Sequence, residues 1–227
     1  MLPAPPWRLV LVGTLLTSVV FGLQGNVSTA SPQKSADADG LRAPQALILF
    51  VGSSIVHRWT HLAEQMAPLT VVNRGIDGLQ TTDLLRMIDR GVLPLRPRVV
   101  VYYCGSNDID VGEPTADIVQ RIRQFVERVT TELPATRVVF LSINRAPEKR
   151  DRWDVVDDVN RQIARDAAAS ARLQYVDVNP VLFTDDGVPR IDLYMPDELH
   201  LRPAAYEGFA TILKPVLGNI LSSQPAR

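Results

Sequence analysis

The 227-residue chain has a single cysteine, Cys104, which excludes an intramolecular disulfide and any cysteine-rich metal site. It has no charge excess: 24 basic residues stand against 25 acidic ones, and no basic stretch marks a nucleic-acid footprint. Nucleic acid is therefore not an expected partner. Lysine is scarce, with Lys34, Lys149 and Lys214 set among many arginines, an imbalance that reads as coding bias. No internal repeat is visible, so a solenoid or propeller is not expected. The length suits one domain with a sizeable core.

Charge is also missing between Leu9 and Leu23, an apolar run preceded by Arg8. That run is short for a membrane-spanning helix of ~20 residues and suits the core of a signal peptide. Ser28-Thr29-Ala30 supplies small residues for cleavage. With no cysteine here, lipid attachment of the bacterial lipoprotein kind is not expected. Residues 1–30 are read as a signal peptide or N-terminal anchor, so the protein is exported, periplasmic or secreted, or tethered to a membrane by an uncleaved segment. Residues 31–44 are small and polar, lack apolar periodicity, and read as a flexible linker. The remaining domain spans 45–227.

That domain opens on Ala46-Leu47-Ile48-Leu49-Phe50-Val51, a buried-strand pattern that stops at Gly52-Ser53-Ser54. A helix is expected from Ile55 to Met66. Further strands are expected at Leu69–Asn73, Arg98–Cys104, Val138–Ser142 and Leu173–Val178. Helices are expected at Thr81–Ile88, Thr115–Leu133, Trp153–Ala171 and Pro203–Leu221, with Pro215 kinking or interrupting the last. This alternation predicts an α/β fold, a three-layer αβα with a five-stranded parallel sheet covered on both faces, and the strand order is taken as the flavodoxin-like 2-1-3-4-5. Ligands of such sheets bind beyond the carboxyl ends of the strands, where the order reverses. Ser54 follows the first strand and Asn107 the third, so this order places them across one crevice.

Each candidate residue alone has a plain structural use. Ser54 at a strand–helix junction serves as a cap, Gly75 and Gly105 as turn residues, and Asn107 as a loop stabiliser. Asp197-Glu198-Leu199-His200 alters that weighing. An aspartate three residues before a histidine reaches one ring nitrogen within a turn and leaves the other to take a proton from a serine. Asp108 reads as a loop-steadying residue and Cys104 as buried. His57 and His61 have metal-compatible spacing but no third ligand, and are read as surface or packing residues. Trp153, Tyr194 and Met195 suit an acyl pocket or core packing equally.

Gly52-Ser53-Ser54, Asn73-Arg74-Gly75, Gly105-Ser106-Asn107-Asp108 and Asp197-Glu198-Leu199-His200 together resemble the four blocks of the SGNH hydrolases. This superfamily includes the GDSL esterases and lipases, and the match runs from Leu47 to Leu221. The stretch Phe50–Ile55 also resembles the platelet-activating-factor acetylhydrolase-like and lysophospholipase-like bacterial branch. No Gly-x-Ser-x-Gly surrounds Ser54, so the nucleophile elbow of the α/β hydrolases is the poorer match. The first block departs from the usual Gly-Asp-Ser, with Ser53 in place of aspartate. This leaves two candidate nucleophiles, of which Ser54 keeps the Gly-x-Ser spacing.

The resemblance implies a serine carboxylic ester hydrolase with no metal or organic cofactor. Ser54, Asp197 and His200 are its implied catalytic residues. The oxyanion hole is implied to comprise the backbone N–H groups of Ser54 and Gly75 and the side-chain amide of Asn107. Expected substrates are small acyl esters, lysophospholipids or acetylated glycans. Thioester hydrolysis, acyl transfer, or non-catalytic glycan binding by a flavodoxin-like domain are the alternatives.

Overall fold

The computed structural model describes residues 47–223; the expected signal peptide or anchor and the linker lie outside the described residues. Five parallel strands, β1 (Ile48–Gly52), β2 (Val71–Gly75), β3 (Val99–Tyr103), β4 (Arg137–Leu141) and β5 (Leu173–Val176), form a sheet in the order β2-β1-β3-β4-β5. Eight α-helices accompany them among the described residues: α1 (Ser54–His57), α2 (Leu62–Met66), α3 (Thr81–Met87), α4 (Ser106–Asp110), α5 (Thr115–Glu132), α6 (Trp153–Ala168), α7 (Asn179–Leu182) and α8 (Pro203–Ser223). This is the expected fold and strand order.

Side chains alternate across the central strands with the period of two that a pleated backbone imposes. Ile48, Phe50, Val99, Val101 and Tyr103 face α1, α2 and α8, while Leu49, Val51, Val100, Tyr102 and Cys104 face α3, α5 and α6. β1 and β3 are buried throughout, as strands covered on both faces require. β2 is an edge strand and is only partly covered. The register pairs Gly52 with both Gly75 and Tyr103, so the carboxyl ends of β2, β1 and β3 finish level.

Several expectations shift, among them the strands expected at Leu69–Asn73 and Leu173–Val178, which run Val71–Gly75 and Leu173–Val176. The helix expected from Ile55 to Met66 is two short ones, because the side-chain amide of Asn73 takes the carbonyls of Val56 (2.6 Å) and Trp59 (3.5 Å) that a continuing helix would use. Trp59 then turns inward onto Tyr206, ring centroids 5.1 Å apart. α6 stops at Ala168 rather than Ala171, and the Ser170 hydroxyl accepts the N–H groups of Arg172 and Leu173 to start the turn into β5. Pro215 does not interrupt α8: it lies on the exposed face, while Phe209, Leu213, Leu217 and Ile220 anchor the other.

Candidate active site

The site begins with a glycine that nothing else can replace. Gly52 ends β1 at φ +148°, and a Cβ there would lie 1.8 Å from the Tyr103 carbonyl oxygen. The close approach lets the Ser53 N–H donate to that oxygen at 3.0 Å. Ser53 then caps α1, its carbonyl accepting the N–H groups of Val56 and His57. Ser54 is the first helical residue, and its N–H makes no hydrogen bond within the described residues.

The far partner comes from the loop before α8. Glu198 takes the left-handed conformation, φ +54°, which curls the chain so that Asp197 Oδ1 accepts the N–H groups of Leu199 (3.1 Å) and His200 (2.9 Å). Asp197 Oδ2 meets His200 Nδ1 at 2.7 Å, and His200 Nε2 meets Ser54 Oγ at 3.0 Å. An ionised carboxylate only accepts, so Nδ1 carries the proton and Nε2 of the neutral ring is the acceptor for the Ser54 hydroxyl. The turn is clipped in place by Met195 N–H to the His200 carbonyl (2.7 Å) and Arg202 Nε to the Tyr194 carbonyl (2.6 Å). Burial pushes the Asp197 carboxyl up. The His200 ring and the two backbone N–H groups outweigh it and hold the group at about 2, so Asp197 is an anion throughout the neutral range.

Of the two serines, the structure brings Ser54 rather than Ser53 to His200. Ser54 is nearly buried, with its hydroxyl at the carboxyl end of the sheet.

Asn107 sits on α4, after Gly105. Its amide donates one N–H to the Leu79 carbonyl at 2.9 Å, and the amide's second N–H has no partner among the described residues. Cys104 Sγ shares the same carbonyl at 3.4 Å; the thiol is buried, which raises its pKa well above the ordinary value. Asp108 is buried and steadies the loop, as expected. It accepts the Thr81 N–H (3.1 and 3.0 Å), the Thr81 hydroxyl (2.5 Å) and Arg121 Nη2 (3.4 Å), tying the start of α3 to α4.

Gly75 requires a correction. Its N–H is already donated to Asn73 Oδ1 at 2.9 Å, and its carbonyl accepts His57 Nδ1 at 3.0 Å. A Cβ at Gly75 would lie 2.2 Å from the His57 nitrogen, so the residue is glycine to let β2 pass against α1. Gly78, at φ +73° and one residue before the Leu79 carbonyl that holds Asn107, has an N–H with no hydrogen-bond partner among the described residues. The signal for it lay in the sequence as a second glycine three residues after Gly75.

The other expected candidates make no side-chain hydrogen bond to Ser54 or His200 among the described residues. His61 pairs with Glu64 at 3.3 Å. Tyr194 is core, Met195 is exposed, and Trp153 packs edge-on to Phe183 while its Nε1–H donates to the Ala146 carbonyl. A cavity of about 1060 Å³ runs along the open edge of β2, lined by Trp59, Val71, Leu84 and Val92 among others. It contains none of Ser54, Asn107, Asp197 or His200.

A serine hydroxyl hydrogen-bonded to a carboxylate-oriented imidazole is suited to attack on a carbonyl. The family model of the GDSL-like lipase/acylhydrolase family matches residues 38–207. The chain belongs to that family. It is accordingly a carboxylic ester hydrolase of the GDSL/SGNH type. No curated protein matches it in sequence. Among solved structures, a Streptococcus pneumonia protein named as a candidate platelet activating factor is 27% identical, TM-score 0.68, covering 78% of this chain and 86% of its own. A GDSL-like lipase from Bacteroides thetaiotaomicron shares 20% identity, TM-score 0.67, with 77% and 89% covered. A carbohydrate esterase family 3 protein from Talaromyces cellulolyticus shares 18%, TM-score 0.63, with 79% and 100% covered. These last two likenesses concern the fold.

Proposed function

We propose that this GDSL-family hydrolase is an exported serine esterase working through an acyl-serine intermediate on Ser54. The hydrogen-bonded chain from Asp197 through His200 to Ser54 carries the reading. Ser54 Oγ attacks the ester carbonyl carbon as His200 Nε2 takes the hydroxyl proton, and Asp197 stabilises the imidazolium. The oxyanion is received by the free N–H of Ser54, the spare amide N–H of Asn107 and the N–H of Gly78, in place of the committed N–H of Gly75. Collapse expels the alcohol, which leaves with the proton from His200. Water then attacks the acyl group with His200 as base, releasing the acid and restoring the serine.

Small acyl esters, lysophospholipids and acetylated glycans remain the proposed substrate classes. Export rests on Arg8 and the uncharged run Leu9–Leu23, followed by Ser28-Thr29-Ala30. A fluorophosphonate probe tests the nucleophile. The native protein is expected to label stoichiometrically and Ser54→Ala to remain unlabelled, whereas Ser53→Ala labels. Labelling that survives Ser54→Ala, or that is lost with Ser53→Ala in folded protein, overturns the assignment.

A further inference from the structure

The chain uses lysine three times, and one of those lysines is buried inside the catalytic end of the molecule. Lys149 lies on a 3-10 stretch, Pro147–Arg152, that follows β4, and its side chain is only 3% exposed. Its Nζ donates to the carbonyl of Ser106 at 3.3 Å and meets Asp110 Oδ1 at 3.1 Å. Both partners belong to α4, the five-residue helix that carries Asn107. So short a helix has no stability of its own and takes its position from what it is tied to. On one side it is tied by Asp108 to Thr81; on the other it is tied by Lys149. The same stretch touches the opposite half of the site, where the Glu148 N–H donates to the Glu198 carbonyl at 3.3 Å, inside the turn between Asp197 and His200.

We infer that Lys149 is a positioning residue for Asn107: by fixing the Ser106 carbonyl it sets where the neighbouring amide meets the substrate's oxyanion. The inference rests on Asn107 acting as an oxyanion donor. Chemistry suits lysine here. A buried ammonium left without acceptors is costly, so Lys149 and its two oxygens constrain one another closely. Its ammonium is a compact point charge that can serve both oxygens at once, in a chain that otherwise favours arginine. Asp110 is 57% exposed and is rehydrated when the ammonium goes, so the consequence of losing Lys149 runs through Ser106.

The test is a double-mutant cycle of Lys149→Met and Asn107→Ala, read as kcat and KM on a p-nitrophenyl ester. Lys149→Met alone is expected to lower kcat about 10- to 100-fold, with KM changed less than about threefold, the scale of a misplaced catalytic group. In the Asn107→Ala background it should cost less than about twofold, because the group it positions is gone. Losses that multiply, a change in KM alone, or an unchanged kcat overturn the inference. If Lys149→Met does not fold, Lys149→Ala, which likewise removes the donor, takes its place in the cycle. If neither folds, Lys149 is a structural residue and the inference falls. Ser54→Ala in the same assay separates this from the broader reading. Turnover that survives it refutes the acyl-serine mechanism whatever the cycle shows.

Discussion

Two hydrogen-bonded arms, Asp197–His200 before α8 and Asn107–Asp108 on α4, are built by opposite means. The Asp197–His200 arm is mainly local: the bonds between its own residues span two or three positions, with Met195, Arg202 and Glu148 clipping the turn from outside, and the Asp197 side chain is 48% exposed. The Asn107 arm is tertiary: Asp108, 1% exposed, reaches Thr81 across 27 residues, and Arg121 from α5 closes the network. A proton-transfer arm needs one correct orientation and tolerates water at its back. An oxyanion arm gains from donors fixed in a dry site before the charge appears. Chemistry and stability are therefore carried by different carboxylates, and substitution of each should expose the division.

The largest effect is expected on the local arm. Asp197→Asn puts an amide N–H where His200 Nδ1–H has its acceptor, which favours the wrong ring tautomer and leaves Nε2 protonated. kcat on a p-nitrophenyl ester should fall about 10⁴-fold, as it does when a triad aspartate is neutralised. The melting temperature should move by less than about 2 °C, since the side chain is half in water. A large melting shift with a modest loss of kcat would mean that Asp197 serves the fold rather than the histidine.

Asp108→Ala is the converse. It strands the Thr81 N–H and hydroxyl and removes a carboxylate from Arg121, so the cost is that of breaking a buried pair, about 3 kcal/mol. For a domain of this size that lowers the melting temperature by roughly 6–12 °C. Calorimetry at neutral pH checks it; an unchanged melting point would show that the network is not what holds α3 to α4.

The same division decides what could be read from the sequence. The five strands followed from short apolar runs alternating with helical periodicity, their order was taken from the flavodoxin-like arrangement, and local features such as Asp197-x-x-His200 are written in adjacent residues. Long-range choices were not. Gly75 and Gly78 are three residues apart in sequence, and only the structure shows that the first ends β2 with its N–H taken by Asn73 while the second lies in the turn beyond it. The helix from Ile55 to Met66 has the right periodicity, but its middle is broken by that same Asn73 side chain, from a different strand. Lys149 showed as one of three lysines, with nothing nearby to announce that its ammonium would be buried against Ser106 and Asp110. Residues whose partners lie within a turn were legible; those whose partners arrive through the sheet were not.

The smallest expected effect is on acid stability, and it probes the local arm alone. The Asp197 carboxyl stands at about 2 in the folded protein against an ordinary value of 3.8 in an unfolded chain. Between these values the unfolded state binds the proton first, so acid favours unfolding there. The stabilisation that Asp197 gives is complete above about pH 4 and disappears as pH falls through 2. Because half of the side chain faces water, the effect is small and lies beneath the general acid denaturation of the molecule. It emerges as a difference: native protein and Asp197→Asn, compared by urea unfolding from pH 5 to pH 2, should draw together in stability as the pH falls. A difference that stays constant to pH 2, or widens, would show that the carboxylate is not held by His200 and the two backbone N–H groups in solution, and the local arm would need another anchor.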